Sequence, residues 1–372
     1  MPKHIVTITG IRPDFIRMSE VFKKLDEDPD VKHTMIHTGQ HYDDMLSTVF
    51  FKGLELRNPD YNLCVGGGKH YEQTGKLSFA IINLFKEKMI DPDLIVFLGD
   101  SNSVCAALPL KKEGYKIAHI EAGMRSGDKR MLEEINRTVC DHCSDYHLVY
   151  HEDYKQNLIK EGLPEENIFV VGNTIVEPTA KVYFPSKEER SGILLDIHRP
   201  ENFNDPERMR KILYFANNCL GQETKMVSWG RPYQAILDLF LPMGNIFKDP
   251  PYLEMDKISV VPLMSHKDFL KVQSRVRFII SDSGTAQEEA ALLHTPVIVP
   301  RDFTERPQSV DAQCSYMLDV DSIDMSIGRD NHWGDAVDDA ECWLTHWKGC
   351  STKWLGDGFT SGRIVECLKS LS

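Results

Sequence analysis

Acid and base chemistry is written into four short stretches of this chain. Asp100 follows Gly99 at the end of the apolar run Leu94 to Leu98, and Glu121 closes the run Lys116 to Ile120. Glu133 and Glu134 open a helical pattern that runs on towards Cys143, and His198 follows the run Gly192 to Ile197, just before Arg199 and Pro200. Carboxylates held close together push one another's pKa values apart, so that one acts as acid while its neighbour acts as base. A histidine past a strand end, beside an arginine, is placed to serve as acid, base or phosphate ligand. Blander explanations exist for some of these positions: Glu133 and Glu134 also favour a helix N-terminus, and Asp100 also suits an N-cap. Glu121 has no such alternative, and Asp100 lies on the strand before the one that ends at Glu121, which favours chemistry for both.

A second group of residues suits an anion. Ser283, Gly284 and Thr285 follow the apolar run Val276 to Ile280 and stand where a helix begins, offering N–H and hydroxyl groups to a phosphate. Glu289, about one turn on, suits ribose hydroxyls, and Arg301 and Arg306 lie in a loop where arginine offers bidentate phosphate recognition. Gly10-Ile11-Arg12-Pro13-Asp14 repeats the strand, glycine turn and helix arrangement near the N-terminus, with Pro13 opening the helix. The GxGxxG and GxxxxGK[ST] patterns are absent from the chain, which disfavours NAD or ATP sites of the usual kind. The ligand implied carries a diphosphate and a ribose.

Alternating strand and helix signals position these groups. Apolar runs at His4 to Thr9, Lys32 to Thr38, Leu94 to Leu98, Lys116 to Ile120, His147 to Tyr150 and Ile168 to Val171 read as buried parallel strands. Gly192 to Ile197, Lys225 to Trp229, Ile258 to Val261, Val276 to Ile280 and Pro296 to Val299 restart the pattern. The fold class is therefore α/β, with two doubly wound Rossmann-like domains facing a central cleft. The N-terminal domain is expected over 1–172, with a C-terminal helix at about 359–372 returning to it, and the second domain over 173–358. Ligands bind beyond the carboxyl ends of such strands, where strand order reverses. The Gly-rich stretch Cys64 to Tyr71 reads as a loop, either a lid or a plain connector.

At 372 residues the chain suits two ordinary domains, and 41% hydrophobic with 27% charged residues is a globular composition. A net charge of -13 argues against nucleic acid or an anionic membrane surface as partner. Nine scattered cysteines, with no signal peptide or long apolar span, point to reduced thiols and a cytoplasmic protein. Cys140-Asp141-His142-Cys143 lacks a convincing second ligand pair for zinc and falls within a helical pattern, so no metal is expected.

The chain resembles the non-hydrolysing UDP-N-acetylglucosamine 2-epimerase family. The motifs that carry the resemblance are Gly10 to Asp14, Thr38 to His41, Gly99-Asp100-Ser101, His119 to Ser126, Glu133 to Arg137, His198-Arg199, Ser283 to Glu289 and Thr304 to Pro307, in family order. The resemblance implies the two-domain GT-B arrangement shared with many glycosyltransferases, a homodimer, no cofactor and a UDP-sugar substrate. It also implies a mechanism in which UDP leaves anti to give a 2-acetamidoglucal and re-adds after the face of C2 is exchanged. Asp100, Glu121 and Glu133 match the family's essential carboxylates and His198 its essential histidine. By the same analogy Arg12, Arg17 and Arg306 bind anionic groups, Ser283, Gly284, Thr285 and Glu289 hold phosphate and ribose, and Phe269 packs on the uracil. Gln40, His41 and Gln73 match a second, activating UDP-N-acetylglucosamine site in bacterial members. Departures from the family are Ile11, Asp14, Arg17, Leu132 and Thr285, Trp229-Gly230 where a His-Pro is usual, and a segment up to Trp354 that follows no family pattern. Rival readings are a 2-epimerase of a 2,3-diacetamido uronic acid or an N-acetyl-6-deoxy sugar, a hydrolysing variant, a glycosyltransferase, and a non-catalytic nucleotide-sugar binding protein.

Overall fold

The computed structural model describes residues 1–39, 51, 53–129, 131–180, 189–228, 257–262, 264–325 and 334–371. Two all-parallel sheets organise these residues. The first has strand order β3-β2-β1-β4-β5-β6-β7, built from Lys3–Thr9 (β1), Val31–His37 (β2), Tyr61–Asn62 (β3), Leu94–Leu98 (β4), Ile117–Ile120 (β5), Tyr146–Val149 (β6) and Ile168–Val170 (β7). Its central strands are apolar on both faces because both faces are covered. Leu94, Val96 and Leu98 join one core with Phe15, Met18 and Phe22 of helix Arg12–Glu27, while Ile95 and Phe97 join another with Leu77, Ile81 and Phe85 of helix His70–Lys88. Period-two alternation along one strand thus feeds two separate cores. The two-residue strand Tyr61–Asn62 was not expected from the sequence; it pairs with Ile36 and His37 and is too short to leave a pattern.

The second sheet has order β10-β9-β8-β11-β12-β13, from Ile193–Asp196 (β8), Thr224–Ser228 (β9), Ile258–Pro262 (β10), Phe278–Ser281 (β11), Val297–Val299 (β12) and Ser315–Met317 (β13). Helix Pro206–Asn218 packs Met209, Ile212, Leu213 and Phe215 against Ile193, Leu195, Phe278 and Ile280. In each sheet the strand order reverses once beside the first strand of that half: between β1 and β4, and between β8 and β11. Loops leaving the two strands at such a point run to opposite faces and part, opening room for a ligand.

Two compact units result, residues 1–180 with 355–372, and 181–354. The first runs past the boundary read from the sequence, to Ala180, and it takes back 355–358 as well as the final helix Thr360–Ser370. The amide of Asn173 donates to the Leu355 carbonyl (2.9 Å), and Arg363 joins Asp357 by two bonds (2.9 and 2.6 Å) while its Nε donates to the Val171 carbonyl (2.9 Å). Gly172 has φ +87°, and a Cβ there would stand 2.7 Å from Thr360 Oγ1. Both strain and collision oppose a side chain at this position. Gly172→Ala is therefore expected to destabilise the first unit by about 1–3 kcal/mol, read as an earlier chemical unfolding midpoint.

Candidate active site

The carboxyl ends of β4 and β5 bring Asp100 and Glu121 into neighbouring positions in the first unit. Leu98 lies opposite Ile120, and the Gly99 amide donates to the Ile120 carbonyl (3.0 Å), so the two loops start side by side. Asp100, half-buried, pairs with the guanidinium of Arg137, which is itself fully buried. Arg137 also pairs with Glu134 (3.1 Å), whose carboxylate accepts the amides of Ser126 (3.0 Å) and Gly127 (3.2 Å). Glu134 is thus a fastener for the loop after β5, more than a helix-end charge. Glu133, half-buried, stands in the first turn of helix Leu132–Cys143.

Glu121 is buried at 4% exposure with φ +69°, a left-handed conformation that costs a non-glycine residue about 1–3 kcal/mol. Strain of this kind concentrates at functional sites. Its carboxylate pairs with Arg17 (3.3 Å), which is equally buried on helix Arg12–Glu27. Arg12, half-buried, is the first residue of that helix. Asp14, buried on the same helix, accepts at Oδ2 from the amides of Gly10 (2.9 Å) and Ile11 (3.1 Å) and from Ser101 Oγ (3.0 Å). Burial nonetheless pushes its carboxyl up to about 7. Loops from β1 and β4, the strands flanking the reversal, are therefore tied together by Asp14 and Ser101.

Gln73 connects to this region through side-chain amides. Its Oε1 accepts from Asn102 (2.7 Å), Asn136 donates to the Asn102 side chain (3.3 Å), and Asn136 also donates to the Asp100 carbonyl (3.0 Å). Gln40, His41, Trp229 and Gly230 lie outside the described residues.

In the second unit His198 and Ser283 follow β8 and β11, the strands that flank the reversal. Asp282, fully buried, holds the loop of His198. Its carboxylate accepts from the amides of His198 and Arg199 (3.0 Å each) and from Asn202 Nδ2 (2.9 Å), and His198 Nδ1 lies 3.3 Å from it. Facing Nδ1 inward directs Nε2 the other way. Ser283 caps helix Gly284–Leu292 by accepting from the Ala286 amide (3.3 Å), and Thr285 is half-buried in the first turn. A Cβ at Gly284 would collide with the Arg306 guanidinium, so this glycine is what lets the arginine lie against the helix start.

Arg306 is buried, not an exposed fork. It donates to Glu288 (2.7 Å) and pairs with Glu305 (2.9 Å). Glu305 is shared with Arg301 (3.0 Å) and Arg199 (3.4 Å), gathering three guanidinium groups around one buried carboxylate. Glu289 likewise turns inward, its two oxygens bonded to His266 (2.7 Å) and Gln273 (2.7 Å). Phe269 is half-buried against Leu194, Val276 and Ile279.

Arg137, Asp141 and Asp282 carry no assigned role in the sequence reading, and Glu134, an acid candidate there, serves instead to hold the loop after β5. Asp282 had a signal, since it follows a buried strand as Asp100 does. Asp141 had none, because its partners His119, Gly123 and Arg125 reach it only across the fold.

Among known proteins, a family model described as UDP-N-acetylglucosamine 2-epimerase matches residues 23–369. A UDP-N-acetylglucosamine 2-epimerase of Methanocaldococcus jannaschii is 34% identical over 88% of this chain and 93% of its own length. The UDP-2,3-diacetamido-2,3-dideoxy-D-glucuronate 2-epimerase of Pseudomonas aeruginosa is 30% identical over 99% of both chains. The crystal structure of the Methanocaldococcus jannaschii UDP-GlcNAc 2-epimerase in complex with UDP-GlcNAc and UDP superposes with a TM-score of 0.83 at 31% identity, covering 98% of this chain and 99% of that one. No described helix is long and apolar enough to cross a membrane.

Removing the cation that joins Asp100 to Glu134 leaves two carboxylates without their shared partner in a largely buried setting. Arg137→Met is expected to cost about 3 kcal/mol of stability, measured by urea unfolding against the wild type.

Proposed function

Since this chain belongs to the UDP-N-acetylglucosamine 2-epimerase family, we propose that it interconverts UDP-N-acetylglucosamine and UDP-N-acetylmannosamine by elimination and re-addition of UDP. The observation that carries this reading is the pair of acidic loops at the adjacent ends of β4 and β5, with Glu121 held buried and left-handed beside Arg17. Inversion at C2 needs a proton removed from one face and returned to the other. The C2 proton of an acetal sugar is not acidic, so its loss must accompany rupture of the C1–O bond. The electron pair of C2–H becomes the C1=C2 double bond, and the C1–O pair leaves with UDP. Re-addition reverses these steps with the proton delivered to the opposite face. In this scheme Asp100, Glu121 and Glu133 supply proton transfer and stabilise positive charge developing at C1. His198, oriented by Asp282, meets the charge on the departing diphosphate, and Ser283, Gly284 and Thr285 offer it a helix N-terminus. Arg12, Arg17 and Arg306 contribute positive charge, and Phe269 and Glu289 border the uridine. Gln40, His41 and Gln73 are assigned to a regulatory nucleotide-sugar site.

The Pseudomonas aeruginosa relative favours a second reading, in which the sugar is a modified UDP-sugar such as a 2,3-diacetamido uronate. Incubation with UDP-N-acetylglucosamine in deuterium oxide, followed by NMR at C2, separates the two. Deuterium at C2 in both epimers is the expected outcome; an unlabelled substrate, with exchange on the uronate instead, selects the second reading. Asp100→Asn and Glu121→Gln are each expected to slow exchange by about 100-fold or more.

We further read the protein as a cytoplasmic homodimer. All nine cysteines are free thiols, as a reducing compartment requires. Tyr71, Phe79, Leu108, Leu132, Ile135 and Val139 are exposed on three helices, of which Ala107–Lys112 packs on both His70–Lys88 and Leu132–Cys143. Apolar side chains grouped in this way mark an association surface. Wild-type protein is expected at twice the monomer mass in light scattering, and Val139→Glu at the monomer mass.

A further inference from the structure

His119 is a fully buried histidine that the proposed chemistry leaves unused. It lies in β5, one residue before the strand's end, between Phe97 of β4 and His147 of β6. Its Nδ1 is 2.6 Å from Asp141 Oδ1 and its Nε2 is 2.7 Å from the Gly99 carbonyl oxygen. Neither partner has a proton to give. A carbonyl only accepts, and the Asp141 carboxylate is held ionised by Arg125 on its other oxygen (2.8 Å) and by the Gly123 amide (3.1 Å). A neutral imidazole carries one N–H and would leave one of these short contacts without a hydrogen.

We propose that His119 is a positioning residue that donates from both ring nitrogens and thereby fixes the two loops carrying Asp100 and Glu121. Its bond to Gly99 holds the peptide immediately before Asp100, where Gly99 turns with φ +69°. Its bond to Asp141 anchors the same side chain to helix Leu132–Cys143. Through Gly123 and Arg125, Asp141 also holds the loop that follows Glu121. One buried cation and one buried carboxylate thus set the spacing of two acids that must act on one carbon.

The other ionisable groups facing His119 agree with a charged ring. Burial alone would lower its pKa, but Cys140 and Asp141 outweigh that and raise it well above the ordinary histidine value. Asp141 moves the opposite way: burial would raise its carboxyl, and His119 and Arg125 bring it well below the usual carboxylate range. His147 donates its Nε2–H to the Asp141 backbone carbonyl (2.8 Å), and burial lowers its pKa, so it does not compete as the cation. A histidine with a raised folded-state pKa stabilises fully below its unfolded value and loses that contribution as pH rises through the folded value. The clamp therefore persists as pH rises past the ordinary histidine value and is lost only once the raised folded-state value is passed.

The inference rests on the epimerase reading, and the test separates the two. In protein labelled with 15N-histidine, His119 is expected to show two protonated ring nitrogens at pH 8, where exposed imidazoles are neutral. His119→Gln, which keeps a donor for Gly99 but not the charge, is expected to lower kcat at least tenfold with KM for the UDP-sugar within threefold. If that variant does not fold, Asp141→Asn carries the same kinetic test, and the wild-type spectrum needs no variant at all. A neutral His119 at pH 8, or an active wild type whose folded variants keep their kcat, overturns the positioning role alone. A wild type that exchanges no C2 proton on any UDP-sugar overturns the epimerase reading and this role with it.

Discussion

Backbone amides in the loops that follow parallel strands run out of ladder partners, and in both units buried carboxylates take up several of them. Asp14 takes the amides of Gly10 and Ile11, Glu134 those of Ser126 and Gly127, Asp141 that of Gly123, and Asp282 those of His198 and Arg199. A buried N–H left alone is costly, and a hydrogen bond to an ionised acceptor is about twice as strong as a neutral one, a gain that Asp14, pushed up to about 7, provides only in part near neutral pH. The acids thereby give the loops one conformation each. Rigid loops are what proton transfer requires, since a catalytic group misplaced by about 1 Å loses on the order of 100-fold in rate.

Burying so many carboxylates obliges the chain to bury cations with them. Arg137 sits between Asp100 and Glu134, Arg17 faces Glu121, Arg125 faces Asp141, and Arg199, Arg301 and Arg306 surround Glu305. The net charge of -13 therefore says little about the site, where opposite charges are gathered in pairs. Arginine serves here because its planar fork reaches two acceptors at once and keeps its charge when desolvated. The inward turn of Arg306 and Glu289 shows that residues suited to a ligand can be occupied by internal partners within their own unit.

The segment before the C-terminal return has a structural task of its own. Helix Asp335–His346 and the residues after it lie along the turn at Gln313, with indole N–H bonds from Trp343 (3.0 Å) and Trp347 (2.7 Å). The Ser351 amide reaches the Ala312 carbonyl (3.3 Å), and Cys314 Sγ donates to the Ser351 carbonyl (3.5 Å). Its tryptophans and Ser351 thus close the second unit beside β13, a three-residue strand too short to leave a pattern in the sequence.

Local pattern alone determined the alternation of strands and helices, the parallel α/β class and the strand-end positions of Asp100, Glu121, His198 and Ser283. These follow from continuous apolar runs and from glycine and acid at their ends, signals contained within a few residues. Tertiary structure decided the rest. It chose Glu134 over its neighbour Glu133 as the loop fastener, because helix geometry turns only one of two adjacent side chains inward. It drew Asp141 to His119, 22 positions apart in the chain, because β5 and helix Leu132–Cys143 meet only once the sheet has formed. It also carried the first unit to Ala180 and brought back 355–372, since a chain's return to its own beginning is a long-range contact that no local spacing encodes. Composition and spacing can name the groups that do chemistry, but burial and partners fix their charge and aim, and those belong to the folded chain.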